Sequence, residues 1–284
     1  MQLIDAHVHF DDPRLDADRA AVYARAREAG IEAMVVPAVS AASWPRLQAV
    51  ATEYPGVFPA YGLHPYFLGE HRPDDLEDLR KQLQGTPAVA VGECGLDFFR
   101  DDLDTGLQQD YFRAQLDLAR ELDLPIIIHA RRAVDAVLKQ IRVSGHHLGM
   151  VHSFSGSAQQ ASQLIDLGYR LGFGGAITHA RATRLRRLIP ALPLDALLLE
   201  TDAPDQPPAG HRGGRNEPAW LTGVLQAMAG IRGIPVETIA AATSANAIAL
   251  FDLPLKAVTA TTAPAAGRRS RKPQSPTGRT PPCD

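Results

Sequence analysis

The sequence predicts a closed parallel α/β barrel of the TIM (β/α)8 type. Three observations lead there. Short apolar runs alternate with helix-like segments, the runs number eight, and 284 residues suit one barrel domain of about 250 residues with an extension. A doubly wound open sheet is the alternative. It loses ground because no Gly-x-Gly-x-x-Gly follows the first run.

The runs lie at 3–8, 33–39, 57–63, 88–91, 125–128, 149–151, 169–173 and 196–199. Helix-like segments separate them at 16–29, 43–53, 73–84, 105–122, 131–144, 157–167 and 181–189; 216–229 and 235–250 follow the last run. Ser43, Ser157 and Asn216 stand where N-caps belong, and Gly30, Gly145 and Gly168 where helices should stop. After Pro254 the composition shifts to Ala, Thr, Pro, Gly, Ser and Arg without periodicity. We therefore expect a barrel domain over residues 1–254 and a disordered basic tail over 255–284.

Two cysteines, Cys94 and Cys283, exclude a disulfide framework and a Cys-rich zinc site. No run is long and apolar enough to span a membrane, and the first residues lack a signal-peptide layout; a soluble cytoplasmic monomer is expected. The net charge of −3 divides into +5 on residues 255–284 and −8 on the remainder. Such a body does not hold nucleic acid by bulk charge. A polyanion would need local arginines and metal ions.

In a barrel the site gathers at the C-terminal ends of the strands. His7 and His9 follow run 1, His64 run 3, Glu93 run 4, His129 run 5, His152 run 6, and Glu200, Thr201 and Asp202 run 8. Five of the ten histidines thus stand at one end. The other five (His71, His146, His147, His179, His211) are expected on the surface, with His179 and His211 near the cleft. Imidazoles and carboxylates collected in one layer need a cation to join them, and mixed N/O donors admit Zn, Mg, Mn, Fe or Ni. Barrel hydrolases of the amidohydrolase kind often bridge two metals through a modified lysine. None of the four lysines (Lys81, Lys139, Lys256, Lys272) follows a run, which leaves Glu93 as the bridge.

These stretches resemble the TatD family of metal-dependent hydrolases: Ile4-Asp5-Ala6-His7-Val8-His9, Gly62-Leu63-His64-Pro65, Gly92-Glu93-Cys94-Gly95-Leu96-Asp97, Ile128-His129-Ala130-Arg131, Val151-His152-Ser153-Phe154-Ser155-Gly156, Leu199-Glu200-Thr201-Asp202-Ala203-Pro204 and Arg215-Asn216-Glu217-Pro218. The likeness covers about residues 1–254 and looks closest to the bacterial YjjV-type subgroup. It implies a TIM-barrel hydrolase with two divalent metal ions, and DNase activity as in several members. Carried over, His7, His9, Glu93 and Asp202 look like ligands of one ion, and Glu93, His129 and His152 like ligands of the second. His64 resembles a group beside the substrate phosphate. The implied reaction is attack of a metal-activated water on a phosphodiester, with Asp202 accepting the proton. Arg131 and Arg215, together with Arg132, Arg181 and Arg212, are candidates to grip phosphates.

The sequence departs from the family pattern at Ser153, Cys94 and Asp205. Asp205 stands where nuclease members often carry Tyr, which weakens base stacking and hence DNA as substrate. The expected activity is a 3′–5′ exonuclease on single-stranded DNA. Hydrolysis of another ester or amide, such as a small metabolite or an aminoacyl ester, and a non-enzymatic partner-binding role are the alternatives.

Overall fold

The computed structural model describes residues 1–257. The expected disordered tail lies, from residue 258 on, outside the described residues. Eight strands run parallel in the order β1 to β8: β1 Leu3–Asp5, β2 Ile31–Pro37, β3 Val57–Tyr61, β4 Ala90–Asp97, β5 Ile126–Arg131, β6 Gly149–Val151, β7 Tyr169–Phe173 and β8 Leu197–Leu199. The barrel is closed between β8 and β1 by main-chain bonds from Ala6 N to Leu199 O (3.0 Å), Asp202 N to His7 O (2.9 Å) and His9 N to Ala203 O (2.8 Å). Sequential parallel order and closure exclude the doubly wound alternative. Strand β1 is shorter than its run, because the chain bends after Asp5.

The helices are α1 Arg19–Glu28, α2 Trp44–Glu53, α3 Asp75–Gly85, α4 Thr105–Glu121, α5 Val134–Ser144, α6 Ala158–Asp166, α7 Thr183–Leu188, α8 Leu221–Arg232 and α9 Val236–Phe251. Ser157 caps α6 in a reciprocal box, its hydroxyl accepting from Gln160 N and its N–H donating to Gln160 Oε1. Asn216 is not a cap: α8 begins at Leu221, and the Asn216 amide is spent on the loop after β8. Gly145 ends α5 with a left-handed φ of 69°.

Two apolar cores follow from the strand alternation. Ile4, Ala33, Val35, Ala60, Ala90, Ile127, Met150 and Leu198 fill the barrel interior, and Leu250, Phe251 and Leu253 at the end of α9 pack against them. Alternate residues, among them Leu3, Met34, Tyr61, Val91, Ile128, Val151, Phe173 and Leu199, face the helical layer. Each such large side chain contributes about 1.5–3 kcal/mol by leaving water. Ser244 Oγ donates to Gln2 O and Asn246 Nδ2 to Leu194 O and Leu197 O, which fixes α9 across the N-terminal ends of β1 and β8. The opposite, C-terminal mouth stays open. Among the described residues no single helix is long and apolar enough to cross a membrane.

Candidate metal centre and its cleft

The expected strand-end residues meet in that mouth, at the floor of a cleft of about 1040 Å³. Glu93 is their hub and is 1% exposed. Its Oε2 lies 3.3 Å from His7 Nε2 and 3.4 Å from His9 Nε2; the same two nitrogens lie 3.3 and 3.4 Å from Asp202 Oδ1. Its Oε1 lies 2.8 Å from His152 Nε2, 3.2 Å from His129 Nδ1 and 3.1 Å from His64 Nε2. The two oxygens of one carboxylate therefore face two separate sets of imidazoles.

These sets fit cations. Bonds of about 2.1 Å at near-tetrahedral angles place neighbouring donor atoms about 3.4 Å apart, which is the spacing around Glu93 Oε2. His7 Nε2 and Glu93 Oε2 are fully buried and make no hydrogen bond, a costly arrangement for polar atoms unless an ion joins them. Electrostatics agree. Burial opposes a charge on His7, yet Glu93 and Asp202 overcome it and lift the ring to about 10. Burial likewise resists carboxylate charge, but the surrounding imidazoles hold Glu93 and Asp202 well below the usual range. Burial and His7 bring His152 down to about 4, so its ring stays neutral and keeps one lone pair. The pocket calls for positive charge between its carboxylates.

The hydrogen bonds fix two tautomers. Tyr66 N donates to His64 Nδ1 (3.0 Å), so the neutral His64 ring carries its proton on Nε2, facing Glu93. His64 is thus arranged as a hydrogen-bond donor rather than a lone-pair ligand. His129 Nε2 donates to Asp97 Oδ2 (3.0 Å), which leaves the Nδ1 lone pair aimed at Glu93 Oε1 and His152 Nε2. Asp97 closes the Gly92–Asp97 motif, but its role was not read from sequence.

Other positioning residues were also missed. On α4, Gln108 and Gln115 are seven residues apart and share a face. Gln115 accepts from Leu63 N (2.8 Å) and donates to Leu63 O (3.1 Å); Gln108 does the same at Asp97 (2.8 and 3.1 Å). Each amide completes the backbone beside a site residue, as a neighbouring strand would. The sequence signal was two buried-face glutamines at heptad spacing. Glu200, pushed up to about 8 by burial, accepts from Ser153 N. Strand β7 supplies no ligand because Gly172 makes room for Glu200: a Cβ there would lie 2.1 Å from Glu200 Oε2. Ser153 and Asp202 hold left-handed backbone (φ 45° and 56°), a strain of about 1–3 kcal/mol each that the surrounding bonds sustain.

Several expectations need correction. Arg215 does not reach the cleft. Its guanidinium is bidentate on Asp18 (2.8 and 2.7 Å) and donates to Arg14 O. Its whole motif is a staple: Asn216 Nδ2 donates to Thr201 O and Asp205 O around the Asp202 turn, and Glu217 pairs with Arg25. Asp205 is engaged by Arg14, which also holds Asp12. Arg131 does line the cleft; Arg132, Arg181 and Arg212 do not. His146 is buried, not on the surface, between Tyr169 Oη (2.9 Å) and Leu124 O (3.0 Å). His71 Nε2 donates to His64 O. His179 approaches Pro207 O (3.3 Å), and His211 stacks on Trp220; neither lines the cleft. Cys94 is fully buried, its thiol driven well up by burial, so it is no nucleophile.

A parallel barrel with a histidine–carboxylate centre at its C-terminal mouth defines the class of metal-dependent barrel hydrolases. The comparisons with known proteins make this particular. The family model "TatD related DNase" matches residues 4–252, and the chain belongs to the TatD family. It is 43% identical over 258 residues to the uncharacterised metal-dependent hydrolase YjjV of Escherichia coli K12, covering 89% of this chain and 99% of that one. The crystal structure of that TatD homologue superposes with a TM-score of 0.86 at 42% identity, covering 89% and 98% of the two chains. A relative named 3′-5′ ssDNA/RNA exonuclease TatD, from Erwinia billingiae, is 34% identical over 260 residues, covering 89% and 100%. The chain is therefore a metal-dependent hydrolase.

Proposed function

We propose that this hydrolase cleaves phosphodiester bonds, as a 3′–5′ exonuclease on single-stranded DNA, with two divalent ions that His7, His9, Glu93 and Asp202 on one side and Glu93, His129 and His152 on the other would hold. The observation that carries it is the division of labour at Glu93, one oxygen towards His7 and His9, which Asp202 also faces, the other towards His129 and His152. The ions when bound supply Lewis acidity to the phosphoryl group and lower the pKa of water. Asp202 takes the proton of the attacking water as the new P–O bond forms, and the bond to the ester oxygen breaks, that oxygen leaving as a hydroxyl with a proton from solvent. Gln206 Nε2 donates to Asp202 Oδ2 and holds that carboxylate in place. His64 Nε2–H donates to a non-bridging oxygen, and Arg131 holds an adjacent phosphate. The exonuclease name of the Erwinia relative supports the substrate class. Hydrolysis of a carboxylic ester or amide is the second reading, favoured by Asp11, Asp12 and Asp205 on one side of the cleft, of which Asp12 and Asp205 take up the charge of Arg14 and leave it no free guanidinium for a phosphate.

The test is time-resolved digestion of end-labelled single-stranded DNA with Mg²⁺, Mn²⁺ or Zn²⁺, beside Asp202→Asn and Glu93→Ala. A ladder shortening from the 3′ end, absent in both variants, is expected. Intact DNA with every metal, from protein shown to carry metal, removes DNA as substrate and moves the metallated protein to a panel of small esters.

A further inference from the structure

The mouth of the cleft is electrically lopsided. On the β1, β2 and β8 side five arginines are engaged by carboxylates: Arg14 by Asp12 and Asp205, Arg19 and Arg46 by Asp16, Arg25 by Glu217, Arg215 by Asp18. On the β5 to β7 side the arginines are free. Residues 178–190 carry Arg181, Arg184, Arg186 and Arg187 with no Asp or Glu. Among the described residues, none of these four, nor Arg131 or Arg132, lies within ion-pair distance of a carboxylate.

Those charges are nevertheless placed. Phe99, 46% exposed after β4, lies under both Arg131 and Arg132, whose Cζ atoms are 3.7 and 4.7 Å from the ring centroid. A ring orients a guanidinium without neutralising it. Arg184 donates to Ser155 O, and Ser155 and Leu185 line the cleft with Arg131. Arg181, Arg184 and Arg187 are exposed. Arg131 therefore lines the cleft that holds Glu93, Arg132 and Arg184 adjoin it through Phe99 and Ser155, and Arg187 lies one turn beyond Arg184 on α7.

We infer that this edge, from Phe99 through Arg131 and Arg132 to Arg184 and Arg187, is a track for the phosphates of a single-stranded nucleic acid beyond the nucleotide at the metal centre. Its existence rests on the charge placement; its direction rests on the 3′-exonuclease reading, under which it carries the strand 5′ of the cut. The paired side, its guanidinia already engaged by carboxylates, offers a backbone little net positive charge, so the strand leaves over β5 to β7. This reconciles a polyanionic substrate with a body of net charge −8 outside residues 255–284.

The test measures binding of a 5′-fluorescein phosphorothioate dT12, which keeps backbone charge and resists cleavage, to the metal-loaded full chain across NaCl concentrations. Arg184→Gln with Arg187→Gln is compared with Arg215→Gln, which removes a charge on the paired side, after each is shown to melt like the parent. The double variant should bind about tenfold more weakly at 0.1 M NaCl and lower the salt slope by about 1.4, since each single-strand phosphate contact contributes about 0.7. Arg215→Gln should keep the parental slope. An unchanged slope in the double variant, an equal loss in Arg215→Gln, or no binding by the parent overturns the track. Binding that depends on these arginines without digestion of ordinary DNA leaves the track standing and removes the nuclease reading. Digestion with an unchanged slope does the reverse.

Discussion

Replacing Asp97 by Asn tests the proposal that tautomer control makes His129 a metal ligand. The Asp97 carboxylate is 1% exposed and does two things: Oδ1 accepts from Phe99 N (3.0 Å), and Oδ2 accepts from His129 Nε2 (3.0 Å). In Asn the amide oxygen can keep the Phe99 bond, which places the NH2 group against His129. Two donors then face each other. The ring relieves this by moving its proton to Nδ1, which removes the lone pair aimed at Glu93 Oε1 and His152 Nε2. Loss of an orienting carboxylate behind a metal-bound His typically costs 10–100-fold in metal affinity or activity, about 1.4–2.7 kcal/mol. Chelator competition should show one weakened binding step of that size, with kcat falling and the melting curve of metal-free protein nearly unmoved. Affinity and kcat both within twofold of the parent would refute the argument. Asp97→Glu does not substitute, because the longer arm displaces the ring.

Four further outcomes are expected. Gly95→Ala should destabilise by more than about 3 kcal/mol or abolish soluble expression, because φ is 134° and its Cβ would lie 2.1 Å from His129 O; thermal melting measures it. Cys94→Ala should retain activity and lose about 1 kcal/mol, read by urea unfolding, since the thiol only fills space beside Ile127 O. Gln115→Leu leaves Leu63 N and O unpaired and should cost about 1–3 kcal/mol, with kcat lowered through His64. Burial holds His146 below its ordinary 6.5, so the unfolded chain gains a proton that the folded chain refuses. Stability contributed by this neutral ring is complete above pH 6.5 and falls as pH drops below it, by at most about 1.4 kcal/mol per unit. His146→Gln should flatten that part of the urea-unfolding profile between pH 7 and 5, and parallel profiles would contradict the assignment.

The barrel was legible because its signals are local. Apolar runs and cap residues recur at the period of the fold, and strand ends follow from where each run stops. The six candidate ligands stand out by the same local signal, since each lies at or just past the end of a run, His7 and His9 at the same one. What escaped depends on partners far along the chain. Arg215 reads as a free cation until Asp18, 197 positions away, is seen to hold it. Asp97 reads as the close of a motif until His129 is seen against it. Gln108 and Gln115 read as polar positions on an amphipathic helix, although each bonds backbone on a side that no strand meets: Leu63 lies past β3, and Asp97 is paired only with β5. Charge is written in the sequence; its neutralisation is not.

That distinction bears most on Glu93. Its two oxygens serve different sets of donors, whereas Asp202 serves one set through Oδ1 and gives Oδ2 to Gln206. Removing Asp202 should therefore weaken one metal-binding step and spare the other. Removing Glu93 should weaken both and leave five imidazoles facing one another with their largest shared counter-charge gone. Metal content after dialysis, measured by elemental analysis at a fixed free-ion concentration, should fall by about one ion per chain in Asp202→Ala and by more in Glu93→Ala. Equal losses in the two variants would mean that Glu93 belongs to one set only and that the centre does not depend on its bridging. A parental content in Glu93→Ala would place the ion elsewhere altogether, and the catalytic assignment of Asp202 would have no charge to act beside.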